Sequence, residues 1–169
     1  MHTLTTFDVA AAWIGLKWTA ERLVQKPRKG EPLEVKNAPK APGLYRITWD
    51  GVDDWVGLPE HVDVKASRRI ADPRLSIQGL QPPVLLTIGR TTNLRKRIRQ
   101  HFGSNDNSNR LFMRMARLLV HLPADEIRRV AMRNLLVEWT QVSHWSHRCL
   151  LERYGSAVCK PLFDIDAEH

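Results

Sequence analysis

The stretch Leu85–Phe102 reads LLTIGRTTNLRKRIRQHF. Its apolar beginning predicts a buried strand over residues 84–89, which stops at a glycine. Leu94, Ile98 and Phe102 then recur at four-residue steps, which predicts a helix over 93–102 capped by Thr92 or Asn93. A strand that leads directly into an arginine-rich helix is therefore the unit from which the rest of the fold is built.

Two further segments have the pattern of strands. LYRITW (44–49) alternates in polarity, and LLVEWTQV (135–142) is apolar and rich in β-branched residues. Helices are predicted over residues 7–24, 110–122, 124–133 and 144–158. The sequence thus predicts an α+β fold, with a small three-stranded antiparallel sheet flanked by helices.

The domain boundaries follow from the Pro- and Gly-containing breaks. Residues 1–39 are interpreted as an N-terminal helix and linker, and residues 40–169 as the domain proper. Residues 50–83 contain several glycines and prolines with little periodicity, so we expect a partly ordered insertion between the first two strands.

Composition restricts the class of partner. Lys and Arg outnumber Asp and Glu by 26 to 18, which gives a formal net charge of +8. This excess suggests a polyanionic partner, with nucleic acid first and an acidic protein or anionic membrane surface after it. The two cysteines are expected to be reduced thiols in a cytoplasmic protein. The sequence has no run of 18 apolar residues, so no membrane span is predicted, and its N-terminus lacks the positive region of a signal peptide.

The cations of the basic helix are not equivalent on a helical wheel. Lys96 and Arg99 fit a solvated face, whereas Arg97 and His101 lie one turn apart on the edge of the apolar stripe. A half-buried cation needs an anion, which is either a carboxylate of the strand over 135–142 or a bound phosphate.

A second wheel, over residues 144–158, places Glu152 on the inward stripe. A carboxylate in that position must be paired, for which Arg148 is available one turn earlier, or must bind a metal. His144, His147 and Cys149 suggest zinc only weakly, because their spacing is irregular and a fourth ligand is missing.

Taken in order, these pieces resemble the GIY-YIG nuclease family. GLY (43–45) and TIG (87–89) are similar to its two half-motifs, and RTTNLRKRIRQHF (90–102) to the helix that follows them. RCLLERYGSAVCKPLFD (148–164) resembles its final helix and tail. The resemblance covers about residues 40–166 and implies a three-stranded sheet with a phosphodiesterase site.

The resemblance also implies roles for individual residues. Glu152 would hold one Mg²⁺ or Mn²⁺ ion, Tyr45 would orient or deprotonate the attacking water, and Arg97 would bind phosphate oxygens. His101 would relay a proton or hydrogen-bond the phosphate. The remaining cations of the segment would contact the DNA backbone; these cations are Arg90, Arg95, Lys96 and Arg99. The products of cleavage would carry 5′-phosphate and 3′-hydroxyl ends.

Departures from the family pattern concern two positions and one interval. Thr87 stands where the second half-motif has tyrosine, and Asp164 where the tail has asparagine. Asn93 matches the asparagine of the family's helix, but its role is open. The interval 46–86 is also longer than the usual hairpin, which suggests an inserted recognition or lid element.

Three functions follow as hypotheses. The first is a metal-dependent DNA endonuclease, which is either a restriction-type enzyme or a standalone or single-strand-specific nuclease. The second is a nucleic-acid-binding module on the same fold with weakened catalysis, which Thr87 and Asp164 favour. The third is a basic scaffold or inhibitor protein, in which Tyr45, Arg97, His101 and Glu152 would not converge.

Overall fold

The computed structural model describes residues 6–25, 33–51, 83–102, 111, 123–159 and 161. Within these ranges the helices are α1 (Thr6–Ile14), α2 (Leu94–Phe102), α3 (Ala124–Asn134) and α4 (Trp145–Cys159). The strands are β1 (Thr19–Arg22), β2 (Val24–Gln25), β3 (Leu33–Glu34), β4 (Gly43–Trp49), β5 (Val84–Thr91) and β6 (Leu135–Gln141).

The main sheet is antiparallel and contains four strands in the order β1-β6-β4-β5. The α+β class and the three expected strands, now β4, β5 and β6, are confirmed. The predicted total of three strands is wrong, because β1 pairs with the outer edge of β6. A separate two-stranded ladder joins β2 to β3.

The predicted helix over residues 7–24 is wrong in its second half, which contains the extra strand. Helix α1 ends at Ile14, followed by Gly15, and the chain re-enters the fold as β1. Glycine is a poor helix residue and a common helix terminator. Most of β1 is exposed, so it carries no apolar alternation. Its backbone pairing with β6, rather than side-chain burial, makes it a strand.

One face of the sheet carries the main apolar core. Tyr45 and Ile47 of β4 pack with Leu94 and Ile98 of α2, as the wheel for that helix predicts. Further residues of the same cluster come from α3 and β6, and these are Ile127, Ala131, Leu135, Val137 and Trp139. Helix α2 is thereby fixed against the strand that carries the first half-motif.

The alternate residues of the strands face the other way, where α4 and α1 pack. On this face Arg46 of β4 forms a two-pronged ion pair with Glu138 of β6, at 2.6 and 2.7 Å. The indole of Trp18 lies 4.5 Å from the Arg46 guanidinium carbon. Glu138 is the sole carboxylate of β6, so it is already engaged and does not supply the partner considered for Arg97.

Several sequence-based predictions fall outside the described residues. These are the partly ordered insertion, for residues 52–82, the helix over 110–122 apart from Leu111, and the position of Asp164. Leu111 itself is helical and buried. Both cysteines are free and half-buried, as expected. Across the part of the chain that is described, no helix is long and apolar enough to cross a membrane.

Helix α1 docks on α4 through Trp13, which lies directly over Gly155. A β-carbon at Gly155 would sit 2.3 Å from the indole ring. We expect Gly155→Ala to lower the free energy of unfolding by about 1–3 kcal/mol, because this overlap outweighs the better helix propensity of alanine. Urea unfolding measures the change.

The matched control for this substitution is the same change in a Trp13→Ala background. With the indole removed, alanine at Gly155 is expected to be neutral or stabilising. Stabilisation of the otherwise unchanged protein by Gly155→Ala would contradict the docking described here.

Candidate functional site

The site begins with the close approach of Tyr45 to Gly89. These residues face each other across the β4–β5 ladder. A β-carbon at Gly89 would come within 2.3 Å of the Tyr45 hydroxyl and 2.5 Å of its ring carbon. The tyrosine therefore lies flat across the glycine, which explains physically why a glycine ends the TIG half-motif.

The Tyr45 hydroxyl reaches α2, where two side chains meet it. His101 Nε2 is 2.7 Å from the hydroxyl oxygen, and Arg97 Nε donates a hydrogen bond to it at 3.3 Å. Tyr45 is 0% exposed and His101 is also buried, whereas Arg97 is half-buried. The i,i+4 pair predicted on the wheel thus converges on the first-motif tyrosine, with Arg97 nearest the solvent.

Glu152 forms the second part of the site with Arg90. Its Oε1 accepts a hydrogen bond from the Arg90 backbone N–H at 3.0 Å, and its Oε2 contacts the Arg90 guanidinium. Both side chains are mostly buried, at 19% and 16% exposure for Arg90 and Glu152. The pairing considered between Glu152 and Arg148 is not the one observed, because Arg148 donates to the carbonyls of Val142 and Ser143.

These two parts adjoin through one peptide unit. The Tyr45 hydroxyl rests against Gly89, and the next backbone N–H, that of Arg90, binds Glu152. Standard backbone lengths then limit the distance between the hydroxyl and the carboxylate oxygen to about 9 Å. The Tyr45 hydroxyl and the Glu152 carboxylate are thus linked through the Gly89–Arg90 peptide.

The first backbone N–H groups of α2 all donate hydrogen bonds to other groups of the protein. The backbone N–H groups of Leu94 and Arg95 donate to the carbonyls of Ala41 and Pro39, both at 3.0 Å. Asn93 Oδ1 accepts from the Lys96 N–H at 2.9 Å, which confirms it as the helix cap. Because these donors are satisfied, a phosphate cannot use them and must be bound by side chains.

The other predicted DNA-contacting cations differ in environment. Lys96 is exposed, and Arg99 is half-buried. Arg95 Nε donates to the carbonyl of Ala38 at 2.7 Å, which ties this side chain to the segment before β4. Lys96 is therefore the cation of α2 best placed to meet a phosphate backbone.

Thr87 is buried on the same face of the sheet as Tyr45, opposite Ile47. Its hydroxyl has no hydrogen-bond partner among the residues that the structure describes. A threonine at this depth does not reach the Tyr45 hydroxyl's partners on α2. It fills core space at the position where the resemblance would place a second tyrosine.

A cation fits the Glu152 carboxylate chemically. Hard oxygen ligands suit Mg²⁺ and Mn²⁺, and a single carboxylate is sufficient because Mg²⁺ keeps several of its waters. The Arg90 guanidinium already occupies this position as a stand-in cation. Within the described ranges no group of three or more His, Cys, Asp or Glu side chains is assembled, including His144 and His147.

The helical wheels did not predict two features of the candidate site. The Arg90–Glu152 pair joins residues 62 positions apart, and helical spacing carries no signal for such a contact. Trp145 is 59% exposed at the start of α4, with the Arg90 guanidinium carbon 4.8 Å from its ring centre.

Comparisons of the chain with family models, curated proteins and solved structures find no match. The roles of these residues are therefore argued from their contacts alone. Three features make up the candidate site: the Tyr45 hydroxyl, the Arg97 and His101 pair, and the Arg90–Glu152 ion pair.

The Gly89 position gives a direct test of the site's geometry. We expect Gly89→Ala to displace the Tyr45 ring from α2 and to lower the free energy of unfolding by about 1–3 kcal/mol. In a Tyr45→Leu background, where no ring lies across the glycine, the same substitution should cost clearly less. Equal costs in both backgrounds, measured by urea unfolding, would contradict this close approach.

Proposed function

We propose that the protein is a cytoplasmic, metal-dependent DNA endonuclease of GIY-YIG type that hydrolyses phosphodiester bonds. The observation that carries the proposal is the convergence of Arg97 and His101 on the Tyr45 hydroxyl, which rests against Gly89, next to the Arg90 N–H that binds Glu152. The third hypothesis, a basic scaffold without nuclease ancestry, expected no such convergence.

Arg97 is the residue suited to hold the scissile phosphate. Its Nε is directed at the Tyr45 hydroxyl, so the remaining guanidinium nitrogens are held in a defined orientation. A guanidinium binds two phosphate oxygens at once and offsets the negative charge that develops during hydrolysis. Lysine, a point charge on a flexible stem, would not reproduce this fork.

Tyr45 and His101 act in the proposal chiefly as positioning residues for Arg97. Both are buried, and their hydrogen bond of 2.7 Å lies beneath the arginine. If the phenol loses its proton during the reaction, the Arg97 N–H is placed to offset the resulting charge. The direct orientation of the attacking water by Tyr45, which the resemblance implies, needs an opening to solvent above the hydroxyl.

Glu152 would hold the metal ion, and Arg90 would hold a phosphate. A bound Mg²⁺ or Mn²⁺ supplies polarisation of the scissile phosphate and stabilisation of the leaving oxygen. The guanidinium of Arg90 covers Glu152 Oε2 in the structure. The Arg90 side chain must therefore leave the carboxylate and bind a phosphate oxygen instead. The backbone bond from Arg90 to Oε1 can remain, because a carboxylate accepts several hydrogen bonds.

The first test is cleavage of labelled single- and double-stranded DNA with Mg²⁺ or Mn²⁺. We expect Arg97→Ala and Glu152→Gln each to lower kcat/KM by about 100- to 1000-fold, since each removes a group that stabilises charge in the transition state. Glu152→Gln is chosen because the amide preserves the size of the side chain.

Lys96→Ala is the control variant on the same helix. Loss of this exposed cation should weaken DNA binding by a few-fold and leave the rate of the catalytic step unchanged. Lys96 attracts the phosphate backbone of the DNA and does not contact the reacting phosphate. Cleavage by Arg97→Ala and Glu152→Gln at the rate of Lys96→Ala would sink the site assignment. Absence of cleavage by the unchanged protein would sink the nuclease.

The alternative is a nucleic-acid-binding module with weakened catalysis. Two observations favour it specifically: the Tyr45 hydroxyl is buried, and Thr87 supplies no second phenol on the face that holds Tyr45. Such a module would bind DNA in EDTA through Arg90, Arg97 and Lys96. It would leave all substrates uncut in Mn²⁺.

Removal of the Arg90 side chain tests the carboxylate as a cation site without any turnover. We expect Arg90→Ala to bind Mn²⁺ more tightly by several-fold than the unchanged protein, because Glu152 Oε2 is released from its ion pair. Electron paramagnetic resonance of free Mn²⁺ measures the affinity. Lys96→Ala controls for the lost charge, and an equal gain in that variant would contradict a site at Glu152.

A further inference from the structure

Trp145 is the large aromatic side chain that the described part of the molecule leaves most open to solvent, at 59% exposure. Tryptophan is usually well buried, so a solvent-facing indole beside charged groups needs an explanation. Other large exposed apolar side chains are aliphatic and cannot stack on a flat ring; they are Ile14, Leu150 and Val158.

Two arginine guanidinium groups lie close to the indole ring. The guanidinium carbon of Arg90 lies 4.8 Å from the ring centre and that of Arg148 lies 5.7 Å from it. Each arginine is anchored elsewhere, Arg90 to Glu152 and Arg148 to the carbonyls of Val142 and Ser143. These cation–π contacts hold the ring in a fixed position, and its 59% exposure leaves part of the ring open to a ligand.

The ring also lies next to the proposed reaction centre. The same Arg90 guanidinium contacts both Trp145 and the Glu152 carboxylate. A base stacked on the indole would thus hold its own phosphate within the reach of Arg90. An exposed aromatic surface bordered by cations is the arrangement by which proteins bind single strands.

We propose that Trp145 is a stacking platform for an unpaired nucleobase beside the scissile phosphate, so that the substrate is single-stranded or locally unpaired DNA. The inference rests on the proposed function of the same site. In an intact duplex both faces of an internal base are covered by its neighbours, and the indole has no base to receive.

Binding of three fluorescein-labelled probes in EDTA tests the platform without cleavage. The probes are a single strand of about 12 nucleotides, within the range that one small domain covers, its blunt duplex, and an abasic strand of equal charge. We expect Trp145→Leu to weaken binding of the single strand by about 5- to 150-fold, the worth of one stacked base. Binding of the duplex and abasic probes should change little.

Two further variants keep the result interpretable. Trp145→Phe retains a flat ring and should stay within a few-fold of the unchanged protein. Val158→Ala, an exposed position on the same helix, should bind all three probes normally. Urea unfolding midpoints of the Trp145 variants should match the unchanged protein, because the side chain is exposed.

Two outcomes would overturn the platform. One is undiminished binding of the single strand by Trp145→Leu. The other is an equal loss for all three probes, which would mean that Trp145 only holds Arg90 in place. Trp145-dependent binding without cleavage in Mn²⁺ would refute the nuclease and support the platform. Cleavage with Trp145-independent binding would refute the platform alone.

Discussion

The space left by one missing β-carbon organises this molecule. Tyr45 can cross β5 only because Gly89 has no side chain, and the 2.3 Å separation leaves no room for alanine. Crossing there brings the hydroxyl to Arg97 and His101. The peptide that follows the glycine then presents the Arg90 N–H to Glu152. Two strands and two helices thereby meet at one residue pair, and the candidate site is assembled around it.

Side chains, rather than backbone, must recognise an anion in this site. Helix α2 begins beside the site, but its first N–H groups are consumed by Pro39, Ala41 and Asn93. The side chains of Arg97, Arg90 and Lys96 are then the cations through which an anion would be bound. Arginine's two-pronged hydrogen bonding gives such a site orientation, whereas the surrounding net charge of +8 gives mainly attraction.

Local patterns in the sequence were sufficient for much of this. Periodicity located α2, α3, α4 and three strands, and the wheel correctly paired Arg97 with His101 on the buried edge. It failed where structure depends on distant pairing. β1 is mostly exposed and is a strand only because β6 lies beside it. The Arg90–Glu152 contact likewise has no local signal, so Arg148 was the partner that helical spacing favoured.

The position of β6 has a consequence for how the protein forms. It lies between β1 and β4 in the sheet, yet it is the last of the described strands to leave the ribosome. The β4–β5 hairpin and α2 can associate early, because their contacts are closer in sequence, and they already contain Tyr45, Gly89 and Arg97. Closure of the sheet must await residues 135–141, and such long-range pairing is slow. Until then β1 has no partner strand and β4 presents the unpaired edge that β6 later covers, which leaves the chain open to misassembly during synthesis.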